Sequence, residues 1–228
     1  LNTPQDQKLQ QLISFDNEHR LASHYLIGID EAGRGPLCGP VVAAAVILPE
    51  FSEEILESLK YLNDSKKFSG KATRREELFD YLINKHCLYG VAEGSLEEIE
   101  AYNIYQTTYM TMNKAYHLVL DKLGNKKHKV LIDGTRTIKQ IPKDIPQESI
   151  VKGDGKSAVI AAASIIAKVY RDRKMQQLAQ EYPQYMWDKN KGYGTREHIE
   201  AIRKYGRCKY HRAGFKIKEL DLVEPSKK

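Results

Sequence analysis

Four acidic residues stand where apolar or glycine-rich stretches end: Asp30 and Glu31 after the run 25–29, Asp133 after Val130-Leu131-Ile132, and Asp154 between two glycines ahead of a long helical segment. Carboxylates at the end of a buried strand are costly to hold together unless something positive lies between or beside them. With no matching lysine adjacent at each, four such acids gathered in one place would repel, and cations are the simplest remedy. An all-carboxylate shell suits hard divalent ions, Mg²⁺ or Mn²⁺, better than zinc. Such a cluster fits phosphodiester hydrolysis, in which one ion acidifies a water and a second, about 3.5 to 4 Å away, stabilises the leaving oxygen. Taken singly, each acid has a plainer reading, Asp133-Gly134 as a turn and Asp154 as a helix N-cap.

Bringing these side chains together requires a sheet, because in open sheets functional groups gather beyond the carboxyl ends of the strands. Apolar runs at 25–30 and 41–48 predict two strands, and 88–93 a third that closes an antiparallel meander with them. Residues 130–134 have the pattern of a central parallel strand, and 149–152 form a final one. If the strands ending in Asp30 and Asp133 are adjacent, the two acids are neighbours. Helices are expected over 8–21, 72–86, 158–181 and 196–205, with 51–62 a helical or irregular crossing. Ser95-Leu96-Glu97-Glu98 fits a capping box, opening helical sequence that runs to 123 with a break near Asn103. Tyr109, Met110 and Met112 on that helix read as core. The small face Ala161-Ala162-Ala163-Ser164 lets the 158–181 helix approach the sheet closely. The glycines that flank Arg34 expose backbone able to approach a sugar, and a polar turn at 62–69 carries Lys66 and Lys67, suited to phosphate contact or to plain surface.

With 228 residues, 41% of them hydrophobic and 29% charged, the chain has the composition of a soluble globular protein with one sizeable core and room for a small appendage. No apolar run approaches the roughly 20 residues of a membrane helix, and the polar, mixed-charge start 1–20 is unlike a secretory leader. The net charge of +6 suggests a polyanionic partner. Three scattered cysteines give neither a disulfide framework nor a zinc site, so a reducing cytoplasm is expected. P-loop, HExxH and GxSxG motifs are absent, which disfavours nucleotide-driven, zinc-protease and serine-hydrolase chemistry. Residues 202–218 hold seven cations and no acid, interleaved with Tyr205, Tyr210 and Phe215. A charge run is usually a solvated face, but aromatic interleaving also suits nucleic-acid binding. The expected organisation is a helical extension over 1–22, a catalytic α/β domain over 23–183 and a small basic helical domain over 184–228.

The ordered set Gly28-Ile29-Asp30-Glu31-Ala32-Gly33-Arg34-Gly35-Pro36-Leu37, Asn63-Asp64-Ser65-Lys66-Lys67, Leu131-Ile132-Asp133-Gly134, Lys152-Gly153-Asp154, Ala162 to Lys168 and Lys191-Gly192-Tyr193-Gly194-Thr195 resembles ribonuclease HII. The resemblance implies a ribonuclease H-like mixed sheet flanked by helices, with a small C-terminal helical domain. It implies an endonuclease, monomeric and cytoplasmic, that uses Mg²⁺ or Mn²⁺ to hydrolyse the phosphodiester 5′ to a ribonucleotide in an RNA/DNA hybrid or in duplex DNA, leaving 3′-hydroxyl and 5′-phosphate ends. Carried over by motif, Asp30, Glu31, Asp133 and Asp154 would be the metal-binding catalytic acids. Gly33, Arg34 and Gly35 would contact the ribose 2′-hydroxyl, the group that distinguishes RNA from DNA at a site. Tyr193 would stack on the deoxyribose that follows, with Lys66 and Lys67 on phosphates. Two positions depart from the family pattern: Phe68 where leucine is common, and Ala213-Gly214 in His211-Arg212-Ala213-Gly214-Phe215, which leaves no serine hydroxyl there for a phosphate. The rival readings are another nuclease or integrase-like transferase on the same fold, and a non-catalytic basic nucleic-acid-binding module whose acids are caps and turns.

Overall fold

Strand β1 (Tyr25–Ala32) lies in the middle of a five-stranded sheet, paired antiparallel with β2 (Val41–Ile47) and parallel with β4 (His128–Asp133). β3 (Leu88–Gly94) extends the meander beyond β2, and β5 (Gln147–Ile150) runs parallel beyond β4. The order β3-β2-β1-β4-β5 comes from a computed structural model that describes residues 3–22, 24–49, 72–84 and 87–217. The adjacency of β1 and β4, which the sequence left conditional, is thereby established.

Helices cover both faces, which is why the central strands are apolar without alternation. Helix α3 (Leu96–Leu123) packs Met112, Ala115 and Val119 against Ile27, Ile29, Ala43, Val130 and Ile132. On the other face, α4 (Ala158–Glu181) packs its small residues against Leu26, Val42, Ala44 and Leu131. The approach is close enough that a Cβ on Gly28 would stand 2.2 Å from the Val159 carbonyl carbon. Helix α2 (Ala72–Asn84) adds Leu78, Phe79 and Leu82 to that second core.

Helix α1 (Pro4–His19) starts earlier than its apolar spacing suggests, because Thr3 and Asp6 form a capping box and Pro4 suits the first turn. It lays Leu9, Leu12 and Ile13 into the α4 core and buries Asp16, whose Oδ2 accepts the Val159 N–H at 3.0 Å. The capping box at Ser95 forms, and α3 is kinked at Asn103 (φ 63, ψ 163). There the Asn103 Oδ1 accepts the N–H groups of Tyr105 and Gln106, restarting the helix. β5 is shifted two residues from its expected place, since the chain turns at Val151 and Lys152 takes a left-handed conformation (φ 55).

After a 3-10 turn (Pro183–Tyr185) come the short α5 (Trp187–Asn190) and α6 (Arg196–Tyr205). Their core, Tyr185, Trp187, Ala201 and Ile202, is shared with Met175 and Leu178 of α4 and with Cys38. The C-terminal part is therefore welded to the long helix and to the segment between β1 and β2. Among the described residues no helix is long and apolar enough to cross a membrane. The crossing at 51–62 and the residues Lys66, Lys67 and Phe68 lie outside the described residues.

Candidate active site

Sheet register places two of the acids. The last parallel pair between β1 and β4 is Ile29 with Ile132, so Asp30 and Asp133 are the next residues on neighbouring strands. Alternation along a strand puts Asp30 on the face of Gly28, toward α4, and sends Glu31 the other way, toward α3. At the strand end these directions still converge: oxygens of Asp30, Glu31 and Asp133 all lie within 4.8 Å of one another.

Asp30 is only 4% exposed, and its Oδ1 accepts the Glu31 N–H at 2.7 Å. Burial, then the charges of Glu31 and Asp133, push its carboxyl well above the usual carboxylate range, against a hydrogen bond from Ser164. Burial also raises Glu31, opposed by the Arg34 guanidinium. The Arg34 Nη1 stands 3.2 Å from the Glu31 Oε1, so the chain does supply one of the acids with a nearby cation, three residues on. Asp133 Oδ1 accepts the Gly153 N–H at 2.6 Å.

Asp154 is not among the acids whose oxygens lie within that distance. It sits on the 3-10 turn Gly153–Gly155, where the amide of Gly153, one residue before it, is the group pinned to the cluster through Asp133. Nor does Asp154 cap α4. That role belongs to Ser157, whose Oγ accepts the Ile160 N–H at 3.3 Å.

A cavity of about 390 Å³ opens in front of the three clustered acids, walled by Gly33, Ser164, Lys168 and Tyr193. Tyr193 is 45% exposed, so it is no core tyrosine. Its carbonyl accepts the Nδ1–H of the buried His198 at 2.9 Å and its N–H donates to Asn190 O at 2.9 Å, fixing the backbone under the ring. The ring lies beside Gly35, where an added Cβ would be 3.7 Å from Tyr193 Cε1. Thus Gly33 and Tyr193, expected from separate parts of the sequence, line one opening, while Arg34 and Gly35 are not among its lining residues.

Sequence reasoning gave no role to Ser164, Lys168 or Arg75, which also line the cavity. Ser164 and Lys168 are one helical turn apart beside the small-residue face of α4, and that spacing was the available signal. Lys168 is tied to Asp172 at 2.6 Å, and burial lowers its pKa against that attraction. Arg75 had no signal of its own. Tyr109, read as core, is half-buried, with its hydroxyl 3.9 Å from where a Cβ on Gly134 would lie, at the edge of the site.

The donor set is all oxygen, three carboxylates crowd together, and two of them are held above their ordinary pKa by burial and mutual repulsion. Crowding of this kind is relieved by a hard divalent cation, so the residues fit such an ion.

A meander leading into parallel strands, helices on both faces and acids at the carboxyl ends of β1 and β4 define a ribonuclease H-like α/β protein with a helical C-terminal part. The family model described as Ribonuclease HII matches residues 27–218. The chain is 47% identical over 193 residues to the ribonuclease HII of Pelodictyon phaeoclathratiforme, covering 85% of this chain and 90% of that one. It is 48% identical over 205 residues to that of Fusobacterium nucleatum, covering 89% and 91%. Among solved structures, the ribonuclease HII in a complex with PCNA from Archaeoglobus fulgidus superposes with a TM-score of 0.66 at 27% identity, over 85% of this chain and 96% of that one. The chain belongs to the ribonuclease HII family, the type 2 ribonucleases H, metal-dependent endonucleases that degrade RNA in RNA/DNA hybrids.

Proposed function

We propose that this chain hydrolyses the phosphodiester 5′ to ribonucleotides, in RNA/DNA hybrids and at single ribonucleotides embedded in duplex DNA, leaving 3′-hydroxyl and 5′-phosphate ends. The observation that carries this reading is the convergence of Asp30, Glu31 and Asp133 beside an opening bordered by Gly33 and Tyr193. Asp30, Glu31, Asp133 and, across the Gly153 turn, Asp154 would hold Mg²⁺ or Mn²⁺. When bound, such ions lower the pKa of a coordinated water and stabilise the charge that builds on the leaving oxygen.

The chain's own residues do the rest. Ser164 and the Gly153 amide orient the carboxylates of Asp30 and Asp133, so the acids stay in place when the site is loaded. The Gly33-Arg34-Gly35 backbone reads the 2′-hydroxyl, and the Tyr193 ring packs on the following sugar, where a second hydroxyl fits less well. Lys66 and Lys67 serve phosphates. The basic part 184–228 carries Tyr193 and acts as the substrate-binding domain of a cytoplasmic monomer, with nucleic acid drawn in by the net charge of +6.

The decisive experiment pairs a duplex carrying one ribonucleotide with an all-DNA duplex, each with and without chelator. Wild type nicks only the first, and only with the ion present. Asp133→Asn keeps its fold by circular dichroism and loses nearly all cleavage, a drop of about a thousandfold or more, as expected when a metal-holding charge is removed. Wild-type cleavage by Asp133→Asn would leave a binding module as the better description.

A further inference from the structure

Arg212 belongs to the cationic stretch that reads as solvated, yet it is 2% exposed. Its guanidinium has five N–H donors, and all five are spent on backbone carbonyls of the segment between β1 and β2. Nη2 donates to Gly33 O at 2.6 Å and to Gly39 O at 2.8 Å, Nη1 to Arg34 O at 3.0 Å and Pro36 O at 2.9 Å, and Nε to Gly39 O at 3.0 Å. Beside it Arg171, fully buried, donates to the carbonyls of Pro40, Lys191 and Cys38. Neither guanidinium forms an ion pair with an acid among the described residues. Burying a cation without a counter-charge costs several kcal/mol unless oriented dipoles replace its water. For Arg212 the dipoles are those of a single loop.

With the carbonyls of Gly33, Arg34 and Pro36 turned onto Arg212, the amide N–H groups of Gly33, Arg34 and Gly35 have no acceptor among the described residues. A planar fork fixes the mutual angles of the carbonyls it binds, which a flexible ammonium cannot do. We infer that Arg212 is a specificity-determining positioning residue: by clamping the carbonyl side of residues 33–36 it presets their amide side as a rigid donor set for the 2′-hydroxyl of the substrate ribonucleotide. This rests on the reading that Gly33, Arg34 and Gly35 contact the ribose. It also gives the C-terminal segment a second role, that of the frame beneath the sugar-reading loop, 170-odd residues away in sequence.

The test is Arg212→Lys, which keeps the charge and loses the fork. Dissociation constants are measured for a duplex with one ribonucleotide and for the all-DNA duplex in Ca²⁺, which supports binding without turnover, alongside Mn²⁺ calorimetry and a thermal melt. The expected result is a folded protein whose Mn²⁺ affinity is within about twofold of wild type and whose ratio of the two constants falls about tenfold, the loss of one or two ordinary hydrogen bonds. A merely structural tie would weaken both duplexes alike and leave the ratio standing, and a folded Arg212→Lys with the wild-type ratio overturns the proposal. If wild type itself binds both duplexes equally, the ribose-contact reading fails instead. Should Arg212→Lys not fold, Arg207→Gln replaces it. Arg207 is exposed and donates to Arg212 O at 2.9 Å and Phe215 O at 2.8 Å, so its loss slackens from outside the backbone that carries Arg212. A ratio lowered about threefold supports the proposal, and an unchanged one overturns it.

Discussion

Replacing Gly28 by alanine tests how tightly the site geometry depends on helix-to-sheet contact. The new Cβ would lie 2.2 Å from the Val159 carbonyl carbon and 2.5 Å from Ile160 N, while ordinary van der Waals contact begins near 3.4 Å. Both obstacles are main-chain atoms in the first turn of α4, so no rotamer change removes them. β1 cannot retreat either, being paired on both edges and covered by α3 on its far face. The helix must therefore lift by about an ångström. Overpacking of this kind costs about 1–3 kcal/mol. Asp30 lies two residues further along the same face of β1, and Ser164 lies one turn beyond Ile160, so the displacement falls directly on their hydrogen bond. A misplacement of about 1 Å costs on the order of 100-fold in rate. Urea unfolding, Mn²⁺ calorimetry and single-turnover cleavage of a one-ribonucleotide duplex are the assays. The expected variant is folded, less stable by about 1–3 kcal/mol, weaker for the ion and about 100-fold slower. Wild-type stability together with wild-type cleavage would refute the reasoning, since it would mean that the helix yields without disturbing the acids.

Tyr193→Ala lowers the preference for a single ribonucleotide over a run of ribonucleotides severalfold, with a change in unfolding free energy below about 1 kcal/mol because nearly half of the residue is exposed; unchanged selectivity would remove it from the substrate. Asp16 concerns stability rather than catalysis. Burial raises its pKa to about 6, so the folded state holds this proton more tightly than the unfolded chain does, and the stabilisation present in acid is lost as pH rises from about 4 to 6. Asp16→Asn keeps an acceptor for the Val159 N–H without the charge, and its stability relative to wild type is expected to rise by about 3 kcal/mol between pH 4 and 8. A difference that does not vary with pH, measured by urea titration across that range, would show that Asp16 carries no such penalty.

What could be read from the residues was mostly local. The Ser95 capping box, the break at Asn103 and the span of α4 follow from short-range hydrogen bonding and apolar spacing, and the structure has them where the sequence puts them. Asp30, Glu31 and Asp133 were legible because charge at the end of an apolar run is conspicuous, and sheet pairing then brought them together. Asp154 was legible by the same signal, yet the 3-10 turn presents the Gly153 amide to the cluster.

Other features had no local signature. The tie of Ser164 to Asp30 and the burial of Arg212 depend on which surfaces dock, and docking is set by the fit of whole faces. Arg212 makes the point most clearly, since neighbouring cations in its segment are exposed and nothing in the string of residues separates it from them. Sequence alone determined which groups could do chemistry and which elements would carry them, because helix caps, strand periodicity and glycine turns act over a few residues. Only the tertiary structure decided which charges lose their water and what replaces it, because desolvation depends on contacts between parts of the chain far apart in sequence.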